Sequence, residues 1–384
     1  MGPGPQLLPS DWPGGDGVEG LRSGRVRRQG HCRRGRPGRC RDRPCRGGGR
    51  TAVRRRHRQG DPRRAARQAP GGQGHGGGRP AAGIDGPQCR PMMARDPFAF
   101  RSSVEARIRA RATVLRVAPN VLRRRFALER LVCRLEQVSS GLWIYKGGFA
   151  LQTVLGPVAR PSMDLDAEHR QGANGAREDL RTVSRTNGPD FFHFELVRAE
   201  PLSGETGPPA VRFRVDCFLA GRLFEPVHVD VACAPPSAWD GEPVHLSPCI
   251  PELEIPPVQV VLLPMERQVA EKFHAYTRTY GGNPSTRSKD LVDLVLIARS
   301  IPLSAQVLAR HLHVIFRERG THPLPPSTPA PPESWKTAYG AEAGRLNLPE
   351  ELHVAHGIVS RMLDPILNGS VDGRWDPSTG ERRR

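Results

Sequence analysis

Lys146-Gly147-Gly148, followed after thirteen residues by Ser162-Met163-Asp164-Leu165-Asp166, is the stretch on which the reading of this 384-residue chain turns. Asp164 and Asp166 stand one residue apart. On a strand, alternation places both on one face with their oxygens side by side, as Mg²⁺ ligation requires. Gly147 and Gly148 lack the Cβ that would keep the backbone from closing on a phosphate. A phosphate cradle followed by paired carboxylates is the equipment of phosphoryl or nucleotidyl transfer. A D-x-D on a strand is most often just a solvated face, so the reading needs support from elsewhere in the chain.

Three other segments supply it. Val211–Cys217 and Pro226–Ala232 read as strands, rich in Val and Phe with alternation, and Phe218 to Glu225, containing Gly221, closes a hairpin between them. Asp230 falls mid-strand among Val227, Val229 and Val231. A charge there is costly unless it is paired or bound to metal. An arginine partner would satisfy it; a third metal ligand is the preferred reading, with Asp216 a rival on the neighbouring strand. In Glu266–Tyr276, Val269, Ala270, Phe273 and Tyr276 fall at helical spacing. Lys272 lies at the edge of that apolar face, where it either snorkels to solvent or projects into a cleft as a point charge for a triphosphate. Arg287-Ser288-Lys289-Asp290 opens an apolar helix running to Ile297, with Ser288 as N-cap. Asp290 serves there as a helix-start acid or, with Lys289, at the mouth of a cleft.

The order K-G-G-x-A-L, R-x-S-x-D-x-D, a V-D-V strand, A-E-K-x-H-A and R-x-K-D-L-x-D-L resembles the AbiEii/AbiGii toxin family, nucleotidyltransferases of the DNA polymerase β-like superfamily. The matching stretches are Lys146–Leu151, Arg160–Asp166, Val229–Val231, Ala270–Ala275 and Arg287–Leu294, within a resemblance running from Phe98 to the C-terminus. It implies that Asp164, Lys272 and Asp290 are needed for activity. It implies that Gly147 and Gly148 hold the triphosphate and that Asp164 and Asp166 bind Mg²⁺. Beside it, Lys146, Ser162, Lys272 and Lys289 are read as further nucleotide contacts, and Asp230 as an assisting ligand of a two-ion site, a role the resemblance leaves open. It also implies a cytoplasmic toxin of a toxin–antitoxin system acting in phage defence. NTP would be the donor, RNA such as tRNA the acceptor, and an antitoxin protein the partner. Two alternatives stand beside it: transfer to a small molecule of antibiotic type, and a non-catalytic RNA- or protein-binding module on the same fold.

Charge divides the chain. Residues 1–91 hold 21 arginines, no lysine and 6 acidic residues, +15 of the +19 total, together with 22 of the 42 glycines and neither Phe nor Tyr. Such a segment has too little apolar surface to offset chain entropy and is expected to be disordered. Its composition is what GC-rich DNA encodes in almost any frame, and Met92-Met93 reads as the natural start. A basic RNA-binding tail is the competing reading; His31, Cys32, Cys40, Cys45 and Cys89 lack the C-x₂-C spacing of a zinc site. No apolar run is long enough to span a membrane. Cys133, Cys217, Cys233 and Cys249 read as reduced buried thiols.

The architecture expected is α/β of the α+β kind: a small mixed sheet of nucleotidyltransferase type with a helical C-terminal lobe. Residues 92–263 form the nucleotidyltransferase domain and 264–384 the helical lobe, with a Pro-rich connector at 321–332. One helical stretch is expected over Ser103–Glu136, a helix at Asp179–Val183, a strand at Phe191–Glu200, helices from Pro264 through Leu312 and at Pro349–Leu363, and a frayed end from Asp372.

Overall fold

A computed structural model describes residues 96–202, 209–236, 241–280, 283–284, 287–370 and 372–383. The segment 1–91, with its expected disorder and its cysteines, lies outside them.

The first helical stretch is two helices, α1 (Pro97–Leu115) and α2 (Pro119–Ser139). α1 ends on Arg116 in the left-handed conformation (φ +53), and Pro119, which disfavours helix in the residue before it, opens α2. Asp96 caps α1, its carboxylate accepting from the amides of Phe98 and Ala99. The Leu128, Leu131, Val132 and Leu135 stripe of α2 is fully buried. So are Arg125 and Arg134, kept tolerable by partners: Arg125 Nε donates to Glu129 at 2.7 Å and Arg134 to Asp190 at 2.8 Å.

A seven-stranded mixed sheet follows: β1 (Trp143–Lys146), β2 (Leu165–His169), β3 (Phe192–Leu202), β4 (Ala210–Leu219), β5 (Arg222–Ala232), β6 (Glu242–Leu246) and β7 (Val258–Leu262). Its order is β3-β4-β5-β2-β1-β7-β6. β3, β4 and β5 form an antiparallel meander, β2 runs parallel to β5 and antiparallel to β1, and β1 runs parallel to β7. α3 (Gly147–Leu155) leaves β1 directly, and α4 (Gly172–Arg185), longer than the expected Asp179–Val183, packs on the sheet. The β4–β5 hairpin turns on Ala220 and Gly221, both at positive φ.

From Met265 the chain is helical: α5 (Met265–Thr277), α6 (Ser288–Ser300), α7 (Ala305–Arg319), α8 (Lys336–Arg345) and α9 (Leu352–Leu367). The residues from Asp372, expected to fray, instead form two short strands, Arg374–Asp376 and Glu381–Arg383, beside Leu303–Ser304. Trp375 pins them: it is buried and its indole N–H donates to the Ala298 carbonyl at 2.6 Å.

Two apolar clusters form. One joins α1, α2, α4 and the sheet, from Phe100 to Leu262; the other joins α5 to α9, from Met265 to Trp375, and takes in Leu151 of α3 and Ala159. Cys217 is buried and Cys133 and Cys249 partly so, whereas Cys233 is exposed, against expectation, because it lies just past the end of β5. Among the described residues no helix is long and apolar enough to cross a membrane.

Candidate functional site

Strand register assembles the charged residues of the site. Lys146 of β1 stands opposite Asp166 of β2, Asp166 beside Asp230 of β5, and Asp230 opposite Arg212 of β4. Cross-strand partners share a face, so these four side chains form one row across the sheet. Asp164, two residues before Asp166, precedes the strand and is half-exposed, with its oxygens 3.2 Å from Arg212 Nη2 and 3.4 Å from His228 Nδ1. Asp216 shares this face but lies four residues from Arg212 along β4, roughly 13 Å away at strand rise, paired with Arg214. It takes no part in the row.

Gly147 opens α3 at φ +64, where L side chains are strained, and a Cβ on it would collide with the Asp166 carboxylate. A Cβ on Gly148 would stand 2.7 Å from Ser162 Oγ. The two glycines therefore let the D-x-D segment lie against the first turn of α3, whose N-terminus has no side-chain cap. Uncapped amides of a helix start attract anions. Ser162 Oγ is turned inward, donating to the Asp164 carbonyl at 2.8 Å, so it shapes the segment.

A cavity of about 170 Å³ opens at this point, lined by the glycines, Asp166, Lys146, Arg160, Lys272, Arg287, Asp290 and Arg319 among others. Five cations and three acids line it, an excess that suits a polyphosphate. α5 and α6 carry its far wall, and both are buried nearly all round. That is why Lys272 does not snorkel. It is 9% exposed, and its ammonium donates to Asp293 at 2.6 Å and lies 3.7 Å from Asp290. Arg160 grips the same Asp293 with two bonds of 2.7 Å. Burial pushes the Asp293 carboxyl up, but Lys272 and Arg160 outweigh it and hold it below the usual range. Asp290 in turn accepts from Arg287 at 2.5 Å.

Lys146 is engaged as well. Its ammonium lies 3.1 Å from Glu168 and 3.2 Å from Glu271; burial pulls its pKa down, but these two acids outweigh it and raise it. Asp166 has the opposite situation. It forms no ion pair among the described residues, and burial first, then the Asp230 charge beside it, outweigh the more distant Lys146 and Lys272 and raise its pKa to about 6.

Of the residues singled out from sequence, Lys146, Gly147, Gly148, Asp166, Lys272 and Asp290 line one cavity, and Asp164 and Asp230 adjoin Asp166. Lys289 does not join them: it is exposed on α6, on the side turned from the cavity that its neighbour Asp290 lines. Both oxygens of Asp230 are taken by Arg212, from Nε at 2.8 Å and Nη2 at 2.7 Å, the arginine partner of the two readings offered by the sequence. Sequence reasoning assigned no role to Arg160, Arg212 or Asp293. Asp293 had a signal, an acid inside the apolar run Leu291-Val292-Asp293-Leu294-Val295, the same argument that picked out Asp230. Arg212 had none beyond its place on an alternating strand.

The family model described as nucleotidyl transferase AbiEii toxin, type IV toxin–antitoxin system, matches residues 130–358. A comparison with curated proteins returned no match. Two solved structures are similar: one titled as a candidate nucleotidyltransferase from H. pylori, 15% identical over 62% of this chain and 94% of that one, TM-score 0.36; and JHP933 from Helicobacter pylori, 16% identical over 63% and 93%, TM-score 0.34.

Proposed function

The chain belongs to the nucleotidyl transferase AbiEii toxin family, and from that premise we propose that it transfers a nucleoside monophosphate from an NTP to an RNA acceptor, with Asp164, Asp166, Lys272 and Asp290 in the site. The observation that carries this reading is the contact between the glycine turn and the carboxylates. Gly147 is closed against Asp166 at the uncapped start of α3, on the rim of the same cation-lined cavity that Lys272 and Arg160 enter.

In the proposed reaction an acceptor hydroxyl attacks the α-phosphorus and gives up its proton to water. A new P–O bond forms, the bond to the β-phosphate oxygen breaks, and pyrophosphate leaves. The amides of the first turn of α3 donate to phosphate oxygens. Lys272 and Arg160 supply positive charge beside them, aimed by their common partner Asp293, which is fully buried and fixed. Asp290 holds Arg287 at the rim and flanks Lys272. A divalent cation fits the donors on offer, because Asp166 is an acid without a cation partner next to the half-exposed Asp164. Asp164 and Asp166 would hold the ion, which when bound neutralises phosphate charge and polarises the reacting oxygen. Residues 92–263 are read as the catalytic domain and 264–384 as the lobe that supplies Lys272 and Asp290. The toxin is read as acting in the cytoplasm, restrained by a cognate antitoxin.

The test is direct. The full chain is incubated with each α-labelled NTP, Mg²⁺ and total RNA, beside Asp164→Ala and Asp166→Asn. Label is expected on RNA from the wild type and at least 100-fold less from either variant, with melting curves showing both folded. Near-normal labelling by a folded Asp164→Ala protein sinks the site, and label on small molecules but not RNA sinks the acceptor.

A further inference from the structure

Two carboxylates on the sheet, Asp166 and Asp230, have Asp164 beside them just before β2, yet among the described residues no group of three or more acidic, His or Cys side chains is arranged to hold a metal ion. Arg212 stands among them. Its guanidinium forks both oxygens of Asp230, at 2.8 and 2.7 Å, and the same Nη2 reaches Asp164 at 3.2 Å. The fork is the planar two-bond pairing that arginine makes and lysine does not. It is built into the fold, because the β4–β5 register sets Arg212 directly opposite Asp230. Two of the three carboxylates thus share one internal cation in direct ion pairs, whereas Asp166 makes no ion pair among the described residues and feels Lys146 and Lys272 only at a distance.

We propose that Arg212 is a built-in counter-ion that takes the place of one divalent cation, so that the carboxylate centre accepts a single divalent ion, on Asp166 and the oxygen of Asp164 that Arg212 does not engage, which faces His228 Nδ1 at 3.4 Å. The inference rests on the reading of Asp164 and Asp166 as metal ligands. A second divalent ion beside Asp230 would lie within about 4 Å of the guanidinium and be repelled by it. Asp230 then acts through Arg212 and touches neither ion nor substrate. Arg212 in this account is a positioning residue, keeping Asp164 turned toward Asp166.

The measurement is a calorimetric titration of the metal-free full chain with Mn²⁺, paired with thermal melts. The wild type is expected to bind one equivalent, lost in Asp166→Asn. Arg212→Ala is expected to bind a second equivalent, or the first at least 10-fold more tightly, while Arg212→Lys, which keeps the charge, still binds one. If Arg212→Ala does not fold, Arg212→Gln keeps a donor and the stem, and Mn²⁺ is expected to raise its melting temperature more than that of the wild type. Two equivalents in the wild type, or unchanged binding in both Arg212→Ala and Arg212→Gln, overturns this proposal and leaves the metal reading standing. Absence of Mn²⁺ binding from every protein, Asp166→Asn included, overturns both.

Discussion

Lys272 shows what one residue's surroundings can change. At the edge of an apolar helix face a lysine ordinarily reaches water, and truncating it costs little. Here α5 is buried nearly all round and the ammonium is bonded to a carboxylate that is 0% exposed. Lys272→Ala leaves Asp293 with Arg160 alone, and losing one partner of a buried ion group is expected to cost about 2–4 kcal/mol in denaturant unfolding. Lys272→Met, which fills the volume, still loses nucleotide binding under the proposed function. His274, two residues on, carries a pH prediction. It is 1% exposed, and burial first, then Arg319, His322 and Arg278, lower its pKa to about 3. Its folded pKa lies below the unfolded value of 6.5, so the unfolded chain binds the extra proton between these values. The stability this contributes is complete above pH 6.5 and is lost as pH falls toward 3, by about 2 kcal/mol at pH 5. His274→Gln is expected to unfold at the same denaturant midpoint at pH 5.5 and pH 7.5 more nearly than the wild type does. An unchanged pH slope in the variant counts against His274 as the group responsible.

At the scale of elements, two turns carry separate demands. The β4–β5 hairpin has positive φ at both central residues, +51 at Ala220 and +71 at Gly221. Two-residue hairpins of this kind prefer Asn-Gly, because an Ala in the left-handed region is strained and Asn is less so. Ala220→Asn is therefore expected to stabilise the protein by roughly 0.5–1 kcal/mol, read as a rise in the denaturant midpoint with unchanged slope. The β1–α3 turn has the opposite tolerance. Gly147→Ala brings both the φ +64 strain and a collision with Asp166. It is expected to lower stability by about 1–3 kcal/mol and, because the strand must move away from the helix start, to abolish NTP binding by calorimetry. A Gly147→Ala protein with wild-type nucleotide affinity would remove the glycine turn from the site.

Over the whole molecule, the buried residues described run from Phe100 to Trp375. A chain begun at Met92 keeps all of them and sheds +15 of the +19 charge. It is expected to melt cooperatively at the temperature of the full chain and to retain NTP-dependent labelling of RNA. An insoluble product, or a loss of RNA affinity by orders of magnitude, would make the arginine-rich segment a working part. If labelling is retained, its salt dependence should reflect a surface of +4 and not +19, and so be shallow.

What could be read in the chain and what could not follows the range of the forces involved. Alternation in Val211–Cys217 and Pro226–Ala232 determined two strands, because side-chain direction repeats every two residues whatever lies beyond. The period of Glu266–Tyr276 determined a helix for the same reason, and the five ordered motifs determined the family. The apolar run after Arg287 marked α6, whereas the end of the chain, polar and Gly-rich, carried no local signal for the strands that Trp375 anchors from across the fold. Sequence also singled out carboxylates, glycines and a lysine that the fold brings together around one cavity. Their partners were settled only in three dimensions. Whether Asp230 meets a metal or an arginine depends on the register of β4 against β5, which sets Arg212 opposite it. Whether Lys272 reaches water or Asp293 depends on what covers α5. Lys289 and Asp290 are neighbours in sequence, yet only Asp290 faces the cavity, since a turn of about 100° per residue separates them on α6. Local pattern determines the conformation of a segment and which residue types it presents. The state of a charge depends on groups brought to within a few ångströms from distant parts of the chain, and only tertiary packing decides those.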